Sequence, residues 1–283
     1  MKNVNIFLIV FLIVTLTQVL SIFLKKRKSH ANDSIYCIMM TGKSPCRHDL
    51  ARASIRNFIE QTYKYKYLII VNHGDKPLLN DPTMFTYRDM MTEYIVKKED
   101  IGTLGDMRNM ALSRVPVNSA WTVWDDDDYR STKYLEHLYD IIKRKKVSTV
   151  KFINRIEVNI KTNYVWKTTY RSGFATIMSI KKKSDKDLYT SKETMEDMEL
   201  QSRLLANGHT FYTLDNDPYL YLRMVHGNNT SLYVNQDKTA IRKNIRGNNL
   251  KEEEIGVDEQ KLLLDFFSNY YKEGIKCIQC LEN

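Results

Sequence analysis

The hydrophobic and polar positions of this chain alternate between short apolar runs and amphipathic helical patterns. The apolar runs of strand length are residues 34–40, 67–71 and 121–124, followed by longer strand-and-turn patterns at 147–160 and 164–180. Apolar residues at helical spacing predict helices at residues 47–61, 107–113, 134–143 and 196–206. This alternation is typical of βαβ units, so we expect an α/β fold with a mainly parallel sheet.

The N-terminal pattern is different and predicts a membrane anchor over residues 1–28. Residues 6–24 contain no charged side chain, and a helix of this length nearly spans a hydrocarbon layer of about 30 Å. A removable signal peptide is the alternative, but no small-residue cleavage site precedes the basic run Lys25–Lys28. That run favours a cytosolic location for the residues that follow it, whereas Golgi proteins with a similar anchor have the opposite orientation, so the side stays open.

The remainder of the sequence predicts one large domain and a tail. Residues 29–33 form a short linker, residues 34–235 the domain, and residues 236–283 a polar loop followed by an amphipathic helix at 252–271. That helix could pack on the domain or on a membrane surface. Cys277 and Cys280 form a single CxxC near the end of the chain, which is more typical of two unremarkable thiols than of a redox or metal site.

Composition narrows the class of partner. The 283 residues include 43 Lys and Arg against 34 Asp and Glu, a net charge of +9, and five of the cations flank the apolar segment. The remaining charge is mildly positive, which suits an anionic substrate such as a nucleotide diphosphate. The sequence lacks the dense stripe of Lys and Arg that is typical of proteins that bind along nucleic acid, so we expect no nucleic-acid partner.

Four consecutive aspartates, Asp125–Asp128, follow the apolar run 121–124 directly. Open α/β sheets bind ligands at the carboxyl ends of their strands, where this turn would lie. Adjacent carboxylates repel and need a compensating cation, and Mg²⁺ or Mn²⁺ would serve while also stabilising a departing diphosphate. The alternative is an exposed acidic turn in which Asp128 caps the next helix.

The turn and the helix after it resemble the DxD element of glycosyltransferase family 2. The similar residues are Asp125, Asp127 and Asp128, followed by Tyr134-Leu135-Glu136. The resemblance implies a GT-A fold, a Rossmann-like nucleotide-diphospho-sugar transferase domain that requires a metal. It implies that Asp127 binds the metal, that Asp125 and Asp126 meet the ribose or metal-bound water, and that Asp128 caps the helix.

Other segments resemble the family in the same order along the chain. Thr41, at the end of the first strand, would contact the nucleoside, and His73 and Asp75 stand where the family usually has base-binding acids. Arg108 follows a glycine-containing turn at 102–105 and would lie near the nucleotide, since glycine permits close backbone approach. His226 would be a further ligand of the metal beside Asp127 and Asp125, and imidazole favours Mn²⁺ over Mg²⁺.

A second acidic motif supplies the candidate catalytic base. Thr194-Met195-Glu196-Asp197 precedes a helical pattern that ends at Asn207-Gly208, where a left-handed cap is expected. The segment is similar to the family's Glu-Asp motif, which makes Asp197 the base that accepts the proton of the acceptor hydroxyl. The alternative is that both acids only complement a helix dipole.

Together these observations predict a single-pass membrane glycosyltransferase. It would move one sugar from a UDP- or GDP-linked donor to a glycan, protein or lipid hydroxyl, with inversion at the anomeric carbon. Two alternatives remain at this point, a metal-dependent nucleotidyltransferase and a non-enzymatic, membrane-tethered Ca²⁺-binding protein. The sugar, the acceptor and the oligomeric state cannot be inferred from the sequence.

Overall fold

The computed structural model describes residues 33–42, 45–169, 174–215, 219–226 and 252–282. The predicted anchor at 1–28 and the polar loop at 236–249 lie outside these ranges, as do residues 29–32 of the linker. Among the residues that are described, no helix is both long and apolar enough to cross a membrane.

The described residues alternate strands and helices, numbered here in chain order. The strands are β1 Ile35–Thr41, β2 Lys66–Asn72, β3 Met91–Ile95, β4 Ala120–Val123, β5 Tyr129–Arg130, β6 Thr149–Phe152, β7 Asn154–Asn159, β8 Tyr164–Thr169, β9 Met178–Ile180, β10 Phe211–Leu214, β11 Tyr221–Val225 and β12 Glu252–Glu254. The α-helices are α1 Pro45–Ile59, α2 Lys98–Ile101, α3 Leu104–Ser113, α4 Tyr134–Lys145, α5 Leu200–Ala206, α6 Val257–Tyr270 and α7 Lys272–Glu282. A 3₁₀ helix, Pro82–Met90, precedes β3.

The larger sheet has seven strands in the order β10-β6-β9-β4-β1-β2-β3. Strands β1, β2, β3 and β4 pair in parallel, as do β6 and β10, whereas β9 runs antiparallel to both of its neighbours. The prediction of a mainly parallel sheet is therefore confirmed. Because β1 and β4 are central and parallel, the residues after their carboxyl ends meet at one edge of the sheet.

Apolar side chains from helices cover both faces of this sheet. On one face α1 and α4 contribute Ile55, Phe58 and Leu138 to a cluster with strand residues. On the other face α3 and α5 contribute Ala111, Leu112 and Leu204. Burial on both faces explains why β1, β2 and β4 read as continuous apolar runs rather than as alternating patterns.

A second, five-stranded sheet has the order β12-β8-β7-β11-β5 and packs against the C-terminal helices. The amphipathic pattern at 252–271 forms β12 and α6, and the chain continues into α7, which contacts α1. The interpretation of Cys277 as an unremarkable thiol near the chain end is wrong, because Cys277 forms a disulfide with Cys46 in α1. The tail therefore packs on the domain.

Candidate active site

The acidic turn Asp125–Asp128 follows β4 and is held in place at both ends. The backbone carbonyl of Asp125 accepts a hydrogen bond from the Ser54 hydroxyl at 2.9 Å. The carbonyl of Asp128 accepts one from the Tyr271 hydroxyl at 2.8 Å. Trp124, which is buried just before the turn, donates from its indole nitrogen to the Ser54 carbonyl. Helix α1 and the C-cap residue of α6, Tyr271, therefore fix the backbone that presents the four carboxylates.

Asp128 is buried inside the domain. Its side chain accepts hydrogen bonds from the Tyr221 hydroxyl and from the backbone N–H of Met224, and burial raises its pKa to about 7. The prediction that Asp128 caps the following helix is wrong. Helix α4 begins six residues later, at Tyr134, and its N-cap is Lys133. Asp128 instead connects the turn to β11 through these hydrogen bonds. His226, the residue after β11, lies beside Asp127 of the turn.

Asp126 and Asp127 share one arginine of α1. Arg47 Nη1 lies 2.5 Å from Asp127 Oδ2 and 3.3 Å from Asp126 Oδ1. His226 Nε2 lies 3.1 Å from the same Asp127 oxygen. Although burial opposes ionisation, Arg47 and His226 hold the pKa of Asp127 well below its usual range. Asp127 is therefore a carboxylate at neutral pH.

Asp126 has a different environment from its neighbour. Its side chain is buried, and burial raises its pKa to about 7 despite the charge of Arg47. Within the described part of the chain, Asp126 Oδ2 has no aligned hydrogen-bond donor, although the Thr41 hydroxyl lies beside it. Thr41, the predicted nucleoside contact at the end of β1, therefore lies next to the acidic turn that follows β4.

Asp125 pairs with an arginine of α3. Arg108 Nη2 lies 3.3 Å from Asp125 Oδ1, and Nε of the same guanidinium lies 3.2 Å from Glu196 Oε1. Arg108 also stacks on the Tyr189 ring, with 5.3 Å between its central carbon and the ring centroid. One arginine therefore connects the acidic turn to the second acidic motif, although about 70 residues separate them in the sequence.

The segment that carries Glu196 and Asp197 docks on the start of α3. Gly105 N–H donates to the Lys192 carbonyl at 3.1 Å, and a methyl group on Gly105 would overlap the Thr190 carbonyl oxygen. The predicted close approach at this glycine is thus made by the chain's own backbone. The helix predicted at 196–206 begins only at Leu200, so Glu196 and Asp197 lie in the turn before α5. Gly208 adopts the expected left-handed conformation, with φ of 76°.

Asp197 is half-buried and lies within electrostatic range of the acidic turn. Burial raises its pKa, Arg108 lowers it, and the charge of Asp125 raises it further. Glu196 is more buried, and burial likewise raises its pKa against the effect of Arg108. A carboxylate with a raised pKa is suited to accept a proton. The structure thus brings Asp197, Arg108 and Asp125 together.

The predicted base-binding positions follow β2. The His73 imidazole packs against Gly42, directly after Thr41, whereas Asp75 is exposed. Asn72 holds the loop that contains both residues. Its side chain accepts a hydrogen bond from Gly74 N–H and donates to the Lys76 carbonyl and to Glu93. His73 therefore adjoins Thr41 at the sheet edge, and Asp75 lies at the surface of the loop.

Two arginines of the site escaped the sequence interpretation. Arg47 gives no local signal, because it is one of many charges on an amphipathic helix. Arg130 is fully buried, donates to the Val123 carbonyl at 3.1 Å and stacks on Trp124 at 4.6 Å. Arg130 stands two residues after the four aspartates in the sequence, but its burial beside them is seen only in the structure.

The donor types around Arg47 are those that Mn²⁺ accepts, two carboxylates and one imidazole. Among the residues that the structure describes, no three such groups form a ready-made metal cluster. The guanidinium of Arg47 lies among Asp126, Asp127 and His226, while the predicted third ligand, Asp125, faces Arg108. The predicted metal set of Asp127, Asp125 and His226 therefore stays a prediction. Asp126, rather than Asp125, is the carboxylate that pairs with the same arginine as Asp127, Arg47.

Comparison with known proteins shows similarity in fold to solved structures. No family model matches the chain, and no curated protein sequence matches it. Among solved structures, it is similar to S. aureus TarS residues 1–349 in complex with UDP-GlcNAc, with a TM-score of 0.50 and 12% identity over 84% of this chain and 72% of that one. It is also similar to S. aureus TarS, with a TM-score of 0.50 and 14% identity over 68% of this chain and 37% of that one.

The chain thus spans little more than a third of that longer TarS chain, and 60% of another TarS 1–349 structure. At such low identity the likeness concerns the arrangement of strands and helices. Together with the sheet order described above, it shows that this chain has a mixed α/β architecture with a mostly parallel sheet, of the GT-A-like kind.

Proposed function

We propose that this protein is a glycosyltransferase that moves a sugar from a nucleotide-sugar donor to an acceptor hydroxyl. The observation that carries the proposal is the Arg108 bridge, which joins a DxD-like turn at the end of β4 to the Glu196-Asp197 motif. In a GT-A-like fold this edge of the sheet is where a nucleotide-sugar would bind. The resemblance to family 2 adds the assignment of roles to individual residues.

Donor binding would involve the carboxyl ends of β1, β2 and β4. Thr41, His73 and Asp75 would contact the nucleoside, and Asp125, Asp126 and Arg108 the ribose and diphosphate. Asp126, Asp127 and His226 would hold a divalent cation, Mn²⁺ or Mg²⁺, and Asp125 is the further ligand that the family resemblance implies. When bound, that cation would stabilise the negative charge of the leaving diphosphate. The UDP-GlcNAc named with TarS makes uridine donors the first to test.

Transfer would use the carboxylate of Asp197. As the acceptor oxygen bonds to the anomeric carbon, its proton passes to Asp197, and the bond from that carbon to the diphosphate oxygen breaks. The nucleoside diphosphate leaves with the bonding electrons, and the anomeric configuration inverts. Burial and the raised pKa of Asp197 support this role, because a more basic carboxylate is a better proton acceptor.

A donor screen tests the proposal. UDP- and GDP-sugars are incubated with the protein and Mn²⁺ or Mg²⁺, and released nucleoside diphosphate is measured. Release of pyrophosphate instead would identify a nucleotidyltransferase. The variant Asp197→Asn should lose turnover by at least 10²-fold while UDP affinity stays unchanged. Glu199→Gln is the matched control, since Glu199 lies in the same segment and pairs with Arg203 at the surface.

Two outcomes would contradict the assignment. Turnover that persists in Asp197→Asn would exclude it as the base, and metal-stimulated turnover that persists in Asp127→Ala would exclude Asp127 from the cation site. Binding of Ca²⁺ without turnover for any donor would favour a non-enzymatic role instead.

A further inference from the structure

A single nitrogen of Arg47 lies at the centre of the candidate cation site. Arg47 Nη1 is 2.5 Å from Asp127 Oδ2, 3.3 Å from Asp126 Oδ1 and 3.5 Å from His226 Nε2. The side chains of Asp126, Asp127 and His226 are at most 9% exposed, and that of Arg47 is 18% exposed. The guanidinium therefore contacts the three side chains Asp126, Asp127 and His226 at once.

A guanidinium and a divalent cation cannot share this position. Both are positive, so at contact distance they repel each other, and the repulsion is strong in a buried site of low dielectric. The backbone of Arg47 is restrained, because the adjacent Cys46 is buried and bonded to Cys277 of α7. An ion that enters must consequently displace the arginine side chain rather than the helix.

Arg47 also leaves part of this site unsatisfied. It reaches Asp126 Oδ1, while Asp126 Oδ2 is buried without an aligned donor among the described residues. The Thr41 hydroxyl lies beside Asp126 but is not aligned to donate to it. Asp126 Oδ2 is therefore available to bind a divalent cation when the guanidinium of Arg47 is displaced.

We propose that Arg47 is a built-in competitor of the divalent cation. Without nucleotide, its guanidinium compensates Asp126 and Asp127 and keeps metal affinity low. When a nucleotide binds, the diphosphate offers the displaced guanidinium another anionic partner, so metal and nucleotide bind synergistically. This inference rests on the proposed function for the source of the diphosphate, but its central claim concerns metal binding in the absence of any donor.

The experiment is a titration of the nucleotide-free protein with Mn²⁺, followed by calorimetry or by the electron paramagnetic resonance signal of free Mn²⁺. Arg47→Met removes the charge and hydrogen bonds at similar length and should bind Mn²⁺ at least ten-fold more tightly than wild type. Arg47→Lys retains a charge and should show a smaller gain. Arg52→Gln is the control on the same helix, because Arg52 is partly exposed and pairs with Asp49 at 2.7 Å. The Mn²⁺ affinity of Arg52→Gln should match that of wild type.

Adding Asp127→Asn to Arg47→Met should abolish the gain, which would assign the ion to this site. A second measurement compares wild type and Arg47→Met with and without UDP. UDP should tighten Mn²⁺ binding at least ten-fold in wild type and by a smaller factor in Arg47→Met. If the Met variant does not fold, Arg47→Gln replaces it.

Equal or weaker Mn²⁺ affinity in the folded Arg47 variants would overturn the inference, as would wild-type affinity that UDP leaves unchanged. These results concern Mn²⁺ affinity, whereas the proposed function is tested by sugar transfer and its loss in Asp197→Asn. Failure of this inference and failure of the proposed function are therefore distinguishable.

Discussion

Arg108 Nη2 lies 3.3 Å from Asp125 Oδ1, and this ion pair joins α3 to the acidic turn after β4. The other side of the same guanidinium faces Glu196 and influences Asp197. Both acidic motifs are therefore electrostatically coupled through one buried cation. Removing that cation should change the titration of the proposed base as well as the binding of the donor.

We expect Arg108→Gln to move the acid limb of the pH profile of kcat/KM to higher pH. Asp197 must be deprotonated to accept a proton, so activity falls as the pH drops through its pKa. Arg108 lowers that pKa, and without its charge the pKa rises further above the usual range for aspartate. The measurement is kcat/KM against pH for wild type, Arg108→Gln and Arg108→Lys.

The position of the limb, rather than the size of kcat/KM, is the informative quantity. Loss of a donor contact alone would lower kcat/KM at every pH and leave the limb in place. Arg108→Lys keeps a positive charge and should shift the limb less. An unchanged limb in Arg108→Gln would contradict the coupling of Arg108 to the catalytic carboxylate.

Asp128 should make the folded protein less stable as the pH rises. Its folded-state pKa is raised to about 7, above the value of about 3.9 for an unfolded chain. The folded state therefore binds the proton more tightly. The stabilisation from protonated Asp128 is fully present below about pH 4 and is lost as the pH rises through about 7.

Asp128→Asn should remove this pH dependence. The asparagine oxygen can still accept from Met224 N–H, and its amide can donate to the Tyr221 hydroxyl. We expect the variant to gain about 3 kcal/mol relative to wild type between pH 4.5 and pH 8, on the scale of 1.36 kcal/mol per pKa unit. Urea unfolding at both pH values measures the difference. A difference that is the same at both would show that Asp128 does not titrate in this range.

The sequence was sufficient to predict the parallel sheet, because β1, β2 and β4 are buried on both faces and read as apolar runs. It also identified both acidic motifs, since consecutive carboxylates are costly without a compensating cation. Strand β3 escaped prediction because its residues are partly exposed and it follows a 3₁₀ helix. The role of Asp128 was missed because its partner Tyr221 lies 93 residues away.

The partners of Arg47 and Cys277 were equally beyond prediction from sequence. Arg47 pairs with Asp127 across 80 residues, and Cys277 is bonded to Cys46 across 231. Local patterns describe the helix on which a residue lies, but such pairs depend on how the helices pack. The packing of α7 on α1 could be known only from the structure.

Loss of the Cys46–Cys277 disulfide should destabilise the domain. The bond closes a loop of 231 residues between α1 and α7, and native disulfides typically contribute about 2–4 kcal/mol, mainly by restricting the unfolded chain. Cys277→Ser should lower the free energy of unfolding by that amount. Dithiothreitol should bring wild type to the same stability and leave the variant unchanged. Equal stability of oxidised wild type and Cys277→Ser would contradict a bond between these cysteines.

Gly105 should tolerate no side chain, because the segment that carries Asp197 packs directly on its backbone. A methyl group there would overlap the Thr190 carbonyl oxygen and lie 3.2 Å from Glu196 Cβ. Since a carbonyl in a backbone-bonded segment cannot turn aside as a flexible side chain would, Gly105→Ala must displace residues 190–197. We expect a loss of about 1–3 kcal/mol in stability, even though alanine favours a helix over glycine by about 1 kcal/mol.

Gly256→Ala is the matched control, because a methyl group at Gly256 has no atom within 4 Å. Its stability should change by less than about 1 kcal/mol, as expected for alanine at a helix N-cap. Turnover should fall in Gly105→Ala beyond what the unfolded fraction explains, because displacing Glu196 and Asp197 separates them from Arg108. If Gly105→Ala keeps full stability and full turnover, the docking of this segment on α3 does not position the catalytic carboxylate.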